Sequence, residues 1–151
     1  MLTIAVEEVP DLIAEIQPLL PLHWEELALN RDKVPLDPQY DIYLRRAAAG
    51  ETLAVTVRDA GELVGYFIGF IAPGLHYRTC LTLTMDIFYI KKDARNRFAG
   101  IKLFRAVEAE ARRRGVQRMM VGSKLHKDAS VLFERLNYDP IETYYSKWIG
   151  E

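Results

Sequence analysis

Hydrophobic and β-branched residues are concentrated in three stretches near the middle of the chain, each bounded by residues that favour turns. Leu53 to Arg58 and Leu63 to Ile71 flank Asp59-Ala60-Gly61-Glu62, which has the composition of a hairpin turn. We expect Ala72-Pro73-Gly74 to break the second strand, and Thr79 to Ile90 to form a third. The pattern therefore predicts an antiparallel hairpin followed by a long strand.

Apolar residues at helical spacing dominate the parts of the chain on either side of these strands. After a short strand at Thr3 to Val6, helices are predicted over residues 10–20, 24–29, 40–49, 100–114 and 128–136. Pro18 and Pro21 are expected to limit the first helix, and Gly50 and Gly115 are expected to end the third and the fourth.

The third strand carries an acidic residue on its polar face. Leu81, Leu83, Met85 and Ile87 alternate with Thr82, Thr84 and Asp86, so the two sets are expected on opposite faces. At roughly 3.3 Å per residue, Asp86 would lie about 15 to 20 Å from the start of the next helix. A solvated aspartate, or one that pairs with a lysine, is one explanation for an acidic residue at this position.

A basic turn connects this strand to the next helix. The segment from Lys91 to Gly100 carries four cations, and the free N–H groups of the following helix are expected to point at it. Arg95 and Arg97 would add charge-assisted bonds to a phosphate. The segment has only one glycine, which excludes a Walker loop and a dinucleotide fingerprint. A solvated basic turn with no ligand is the alternative.

Composition limits the class of protein. A chain of 151 residues, 50% of them hydrophobic, is long enough for one core, and we expect a single domain over residues 1–151. Twenty basic and twenty-one acidic residues give a net charge of −1, which offers no overall attraction to nucleic acid or to a membrane. A single cysteine, Cys80, and the lack of a signal-like or membrane-spanning segment favour a cytoplasmic protein.

The strand, turn and helix resemble the GNAT superfamily of N-acetyltransferases. Arg95-Asn96-Arg97-Phe98-Ala99-Gly100 is similar to the family's Arg/Gln-x-x-Gly-x-Gly/Ala signature, with Phe98 where the first glycine usually stands. Leu132-Phe133-Glu134-Arg135-Leu136-Asn137-Tyr138 resembles its second block, with Asn137 replacing a glycine at a left-handed position. Residues 118–121 and 143–148 fall where the family's last strands lie.

The resemblance implies an α/β fold with a mixed, mostly antiparallel sheet flanked by helices. It also implies acetyl transfer from the co-substrate acetyl-CoA to a primary amine by direct attack in a ternary complex, with Asp86 as the base. Phe133 stands where the family commonly has a tyrosine that protonates the departing thiolate, and Tyr138, Tyr144 and Tyr145 are candidate substitutes. The residues implied to hold acetyl-CoA are Ile87, Phe88, Tyr89, Ile90, Arg95, Asn96, Arg97, Phe98, Ala99, Gly100 and Phe133.

The acceptor pocket is expected from segments that the family uses for that purpose. These segments contain His23, Trp24, Glu25, Glu26, His76 and Tyr77, although a surface position is the more ordinary explanation for His76. Trp24, Tyr40 and Tyr43 are candidates for the wall of an apolar site or, alternatively, for core positions. His126, between Lys124 and Lys127, is interpreted as part of a solvated or phosphate-facing patch, and no metal site is expected.

Three functional classes remain open from the sequence alone. The first is an N-acetyltransferase whose partner is a small-molecule or protein amine, with no nucleic acid or membrane partner and with a homodimer left open. The second is a non-catalytic module that binds an acyl-CoA or a nucleotide, which the departures at Phe98 and Phe133 would favour. The third is an interaction protein whose basic turn contacts another chain.

Overall fold

The computed structural model describes the whole chain except the side chains of residues 96 and 97. The described part has a five-stranded sheet of order β1-β2-β3-β4-β5, in which only β4 and β5 are parallel. The strands are β1 (Leu2–Glu7), β2 (Thr52–Asp59), β3 (Glu62–Gly74), β4 (Tyr77–Ile90) and β5 (Arg118–Met120). The helices are α1 (Val9–Ile16), α2 (Leu20–Leu27), α3 (Tyr40–Ala48), α4 (Ala99–Arg113) and α5 (Ser130–Arg135), with a 3-10 segment at Lys92–Arg97.

Helices cover both faces of the sheet, which confirms the predicted fold class. On one face, Phe67, Leu83 and Phe104 belong to a core that is closed by α4 and α5. On the other face, Leu12, Tyr66 and Tyr89 belong to a second core that is closed by α1 and contacted by α3. Burial of these side chains supplies the main driving force for the three-layer arrangement.

The β2–β3 hairpin forms as predicted. Ala60 and Gly61 both have positive φ, of 49° and 88°, which is the backbone of a type I′ turn. The predicted break at residues 72–74 is wrong, since β3 continues to Gly74. Pro73 is tolerated there because the last described hydrogen bond from β3 toward β2 is donated by Ile71 to the Glu51 carbonyl, so no neighbouring strand needs a donor at Pro73.

The first two helices differ from their predicted bounds. Helix α1 ends at Ile16, before Pro18, and α2 begins at Leu20 rather than at Trp24. Pro21 lies in the first turn of α2, where its missing N–H would have had no partner within the helix in any case. The proline therefore opens the second helix as well as separating it from the first.

The C-terminal strand predicted over residues 143–148 is absent from the described structure, and residues 139–151 are exposed. Tyr144 and Tyr145 are 84% and 94% exposed. Aromatic residues favour strands only where a neighbouring strand and a buried face are available, and here neither is present. No described helix is both long enough and apolar enough to span a membrane.

Candidate active site

Strand β4 contains a bulge at Asp86. Ile68 of β3 is opposite Ile87, whereas Gly69 is opposite Met85, so Asp86 is an extra residue in the ladder. Met85 therefore packs against the core under α4, and Ile87 packs against the core under α1. The prediction that Ile87 shares a face with Met85 is wrong, because a bulge reverses the alternation of side chains.

The sequence signal for this bulge was the glycine within β3. A Cβ atom at Gly69 would lie 2.7 Å from Cδ1 of Leu83 and 3.0 Å from the ring of Phe67, so these two side chains occupy the space that a side chain at Gly69 would need. A glycine in the interior of a strand often marks a bulge or a close backbone approach. Gly69 pairs with Met85 next to the bulge and leaves space for the side chains of Leu83 and Phe67.

A cleft of about 700 Å³ begins where β5 ends. In the described part of the chain, β5 pairs with β4 only at residues 82–84, and the same edge of β4 has no strand beside residues 85–90. These six residues form one wall of the cleft, and residues 122–124 and 127–129 contribute to another. Helix α2, the α2–α3 connection, the basic turn, the first turn of α4 and α5 also contribute to the lining.

Asp86 lies on the cleft wall and is bonded to helix α3. The Tyr43 hydroxyl donates a short hydrogen bond to Oδ2 of Asp86. Asp86 is open to the cleft, yet partial desolvation by the surrounding protein raises the pKa of its carboxyl above the usual range. The Tyr43 hydrogen bond and the Arg46 charge oppose that rise. Burial and the bond to Asp86 also raise the pKa of Tyr43, which therefore stays protonated.

Arg95 faces the cleft but donates its hydrogen bonds to protein groups. Its Nη1 lies 2.7 Å from Oε1 of Glu26, its Nη2 lies 2.9 Å from Oε2, and its Nε donates to the Ile90 carbonyl at 2.8 Å. Lys127 approaches the same Glu26 carboxylate at 3.3 Å. The Arg95 hydrogen bond is the main cause of the lowered pKa of Glu26. A carboxylate and two cations thus form a network, the Glu26 network, across the cleft.

His23 lies deep in the cleft as a neutral side chain. Its Nδ1 shares a 2.9 Å hydrogen bond with the Tyr66 hydroxyl, and its ring stacks on Tyr89 with the centroids 5.0 Å apart. Burial lowers the pKa of His23 to about 4. The imidazole is therefore uncharged at neutral pH, and it is a weaker base than a free histidine.

The basic turn holds Phe98 in a left-handed conformation. Its φ is 56° and its ψ is 24°, which glycine adopts readily, and its side chain is 68% exposed. Ala99 is fully buried, whereas Gly100 lines the cleft and would place a Cβ atom 3.2 Å from Leu132 of α5. Asn96 and Arg97, which were also predicted to hold phosphate, have side chains outside the described part of the chain.

The loop before α5 is fixed to α2 beside the cleft. Nε2 of His126 lies 3.1 Å from the Leu27 carbonyl oxygen, and Lys124 lines the cleft. Among the described residues, no group of three or more His, Cys, Asp or Glu side chains is arranged to hold a metal ion. The loop therefore presents lysines, rather than a ligand set for a metal, to the cleft.

The structure brings together most of the residues predicted for the site. The predicted residues that line the cleft are His23, Trp24, Glu26, Asp86, Ile87, Phe88, Tyr89, Ile90, Arg95, Phe98 and Gly100. His76 and Tyr77 are not among its lining residues: they lie at the exposed β3–β4 connection, where Tyr77 contacts Arg118. The β-hairpin carries this pair to the far end of β4 from the basic turn.

Phe133 is in the core rather than at the cleft surface. It is 7% exposed, and its ring packs edge-on against Phe104 and Tyr138. Tyr138 directs its hydroxyl to the Met119 sulfur at 3.6 Å, and Tyr144 and Tyr145 lie in the exposed tail. None of these four residues lines the described cleft. The expectation that Phe133 faces a departing thiolate has no support from this packing.

The most informative contact that sequence reasoning missed is that between Tyr43 and Asp86. The two residues are 43 positions apart, and the sequence suggested only that Tyr43 walls an apolar site or belongs to the core. The 69-residue separation of Arg95 and Glu26 hid their ion pair in the same way. No local pattern announces either contact, because each depends on how α2 and α3 pack on the sheet.

Comparison with known families gives one match that covers most of the chain. Residues 16–138 match the family described as the acetyltransferase (GNAT) family. No curated protein is significantly similar to this chain in sequence.

Several solved structures share the fold at low sequence identity. A ribosomal-protein-alanine N-acetyltransferase from Brucella melitensis biovar Abortus superposes with a TM-score of 0.75 at 20% identity, over 100% of this chain and 99% of that chain. An aminoglycoside acetyltransferase from an uncultured soil metagenomic sample gives 0.76 at 14% identity, over 99% of each chain. A predicted acetyltransferase with acetyl-CoA from Clostridium acetobutylicum gives 0.69 at 9% identity, over 99% and 97%. At these identities the similarity establishes the fold.

Proposed function

This chain belongs to the acetyltransferase (GNAT) family, and from that premise we propose that it transfers an acetyl group from acetyl-CoA to a primary amine. The observation that carries the proposal is the cleft beside β4, which has an open strand edge, a cationic end and a carboxylate of raised pKa. Acetyl-CoA is a substrate here, since it is consumed in each cycle.

The lining of the cleft suits the chemical parts of acetyl-CoA. The open edge of β4 at residues 87–89 offers backbone N–H and C=O groups to the amides of a pantetheine arm. The first turn of α4, which includes Gly100 and Ile101, presents N–H groups and the positive end of the helix dipole to the same space. Lys124, Lys127 and Arg135 add positive charge for phosphates. We propose that the pyrophosphate lies at this cationic end.

Asp86 is our proposed general base. A primary amine arrives mainly as an ammonium ion at neutral pH, so it must lose a proton before its nitrogen can attack. A carboxylate of raised pKa at the cleft wall is a stronger base than an ordinary aspartate and can accept that proton directly or through a water. Tyr43 holds the carboxylate in place by its hydrogen bond.

The rest of the proposed reaction needs no side-chain acid. The amine nitrogen forms a bond to the acetyl carbon, the carbon–sulfur bond breaks, and the sulfur leaves with the electron pair. The second proton lost by the nitrogen, as the amide forms, neutralises the thiolate. A thiol pKa near 8.5 makes the sulfur a good leaving group, so we assign no acid to Phe133 or to the tyrosines near it.

The experiment that tests this proposal measures free thiol and N-acetylated amine together. The purified chain is incubated with acetyl-CoA and a panel of primary amines, and product is identified by mass spectrometry. We expect the two products in equal amounts and none from either substrate alone. Binding of acetyl-CoA without turnover of any amine would instead favour the non-catalytic binding module.

A further inference from the structure

A second cavity, of about 390 Å³, lies next to the cleft on the α1 and α3 side of the sheet. Its walls come from α1, α2, the α2–α3 connection and α3, with Ile68 and Ile87 of the sheet at its base. Trp24, Leu36 and Ile87 line both this cavity and the cleft. The two spaces therefore meet at these shared side chains.

The second cavity is predominantly apolar. Its aliphatic lining includes Ile13 and Ile16 of α1 and Leu29, Val34 and Leu36 of the α2–α3 connection. Trp24, Tyr40 and Tyr43 supply aromatic surface, and Asp37 is the only carboxylate among the described lining residues. Such a space favours an uncharged hydrocarbon or an aromatic ring over a hydrated polar group.

A hydrogen bond between Tyr43 and Asp86 connects the two spaces. Tyr43 lines the second cavity, and its hydroxyl bonds to Asp86, which lines the cleft. If the nitrogen of a bound molecule lies near Asp86, the rest of that molecule would therefore contact the apolar walls of the second cavity. This arrangement offers one site for an ammonium ion and an apolar space beyond it.

Resting on the proposed acetyl transfer, we infer that the acceptor is a small primary amine with an uncharged apolar body, an alkylamine or an arylalkylamine. Its nitrogen lies at Asp86, and its body fills the second cavity. A volume of about 390 Å³ is near the lower end of the range for ligand pockets, roughly 300 to 1,000 Å³, so the body is small.

Acceptors with several positive charges fit this lining poorly. Each additional ammonium group would have to leave water for walls on which Asp37 is the only described carboxylate. An uncompensated charge in such surroundings is costly. The same lining therefore selects against polyamines and amino sugars, which carry cations along their whole length.

A matched pair of amines tests this inference. Hexylamine and 1,5-diaminopentane have chains of equal length, and only the second carries an ammonium group at the far end. We expect kcat/KM for hexylamine to exceed that for the diamine by about 10²-fold, because the far end lies in the apolar cavity. Equal values, or faster turnover of the diamine or of an amino sugar, would overturn the inference while leaving acetyl transfer intact.

A charge placed in the cavity wall provides the matched variant. Leu36→Asp adds a carboxylate to the lining, so the ratio between hexylamine and the diamine should fall by about tenfold or more. Leu22→Asp is the control, because Leu22 is 48% exposed on α2 and lines neither space. A ratio that Leu36→Asp leaves unchanged, or that Leu22→Asp changes equally, would overturn the inference.

A binding measurement separates this inference from the proposed function. In Trp148→Phe, Trp24 is the only remaining tryptophan, and it lines both spaces. Hexylamine should shift the Trp24 fluorescence to shorter wavelength in a saturable way, and diaminopentane should not. That shift without turnover would contradict acetyl transfer and support the apolar pocket. No difference between the two amines would overturn the pocket assignment whether or not turnover occurs.

Discussion

Phe98, which directly precedes α4, has a backbone conformation that residues other than glycine seldom adopt. The left-handed conformation costs a residue other than glycine about 1 to 2 kcal/mol. The exposed ring recovers little of that cost by packing, since 68% of the residue surface is open. The loop thus keeps the geometry that a glycine would give it, at some expense in stability.

Replacing this residue should relieve the strain. Phe98→Gly removes the steric cost but adds about 0.4 to 1 kcal/mol of unfolded-chain entropy, so we expect the free energy of unfolding to rise by up to about 1.5 kcal/mol. Urea denaturation measures the change. Phe98→Ala is the control, since it loses the ring and keeps the strain. A Phe98→Gly protein less stable than Phe98→Ala would contradict this explanation.

Glu26 pairs with two cationic side chains, Arg95 and Lys127, that could otherwise bind a phosphate. Its side chain is 9% exposed, and it accepts hydrogen bonds from Arg95 while also pairing with Lys127. A diphosphate that binds at the cationic end of the cleft would have to compete with this carboxylate for the same two side chains. The Glu26 network is therefore expected to weaken acetyl-CoA binding.

Removing the charge of Glu26 tests that competition. Glu26→Gln should lower the Kd for acetyl-CoA by roughly 3- to 10-fold, because a neutral amide competes less strongly than a carboxylate for Arg95 and Lys127. A charge-assisted hydrogen bond is worth about 1.5 to 3 kcal/mol, and the phosphate would gain part of that energy. Calorimetry measures the affinity, and Glu25→Gln, at the exposed neighbouring position, is the matched control. Weaker binding in Glu26→Gln would mean that Glu26 positions Arg95 for the phosphate instead.

A buried carboxylate holds the two arginines at the C-terminal end of helix α4, and one of these arginines bonds to the sheet. Glu110 accepts hydrogen bonds from Arg113 and Arg114, and Nη1 of Arg114 donates to the Thr52 carbonyl at 2.6 Å. These bonds, with that of Arg113 first, lower the pKa of Glu110 from 4.5 to about 2. Arg114 thus lies at the negative end of the helix dipole and also connects α4 to β2.

The lowered pKa of Glu110 predicts a pH-dependent contribution to stability. The contribution is complete above pH 4.5 and is lost as the pH falls toward 2, because the folded state holds the carboxylate form. Glu110→Gln should therefore cost about 1 to 3 kcal/mol at neutral pH and progressively less below pH 4.5.

Denaturation of the parent and the variant at several pH values measures that difference. Asp41→Asn on α3 is the control, because its ion pair with Arg45 joins two side chains that are about three quarters exposed and should matter little. A difference between the parent and Glu110→Gln that stays constant down to pH 2 would exclude this linkage.

Strands and helices defined by local patterns were predictable from the sequence. The β2–β3 hairpin follows from Asp59-Ala60-Gly61-Glu62, and Asn137 has the left-handed φ of 63° expected after α5. The bulge at Asp86 was not predicted, because it depends on how β4 pairs with β3 around Gly69. The missing C-terminal strand has the opposite cause: its residues favour strands, but no strand lies beside them.

The cleft as a whole combines parts of the chain that are far apart in sequence. Asp86 and the basic turn are close in sequence and were recognised together, whereas α2, α3 and the loop before α5 reach the cleft only through folding. Tyr43 is the clearest example: its hydrogen bond to Asp86 joins the acid of β4 to the wall of the second cavity. The order of residues in the sequence was enough to identify Asp86 and the basic turn as candidate functional groups. The groups that surround them in the cleft depend on how the helices pack on the sheet.

Turnover by Asp86→Asn tests the central claim most directly. The amide keeps the shape of the side chain and its bond from Tyr43 but cannot accept a proton. We expect kcat to fall by about 10²- to 10⁴-fold with the Kd for acetyl-CoA unchanged. The parent should lose activity as the pH falls through the raised pKa of Asp86, and the residual activity of the variant should lack that dependence. A variant that keeps the parent's rate and pH profile would contradict the assignment of Asp86 as the base.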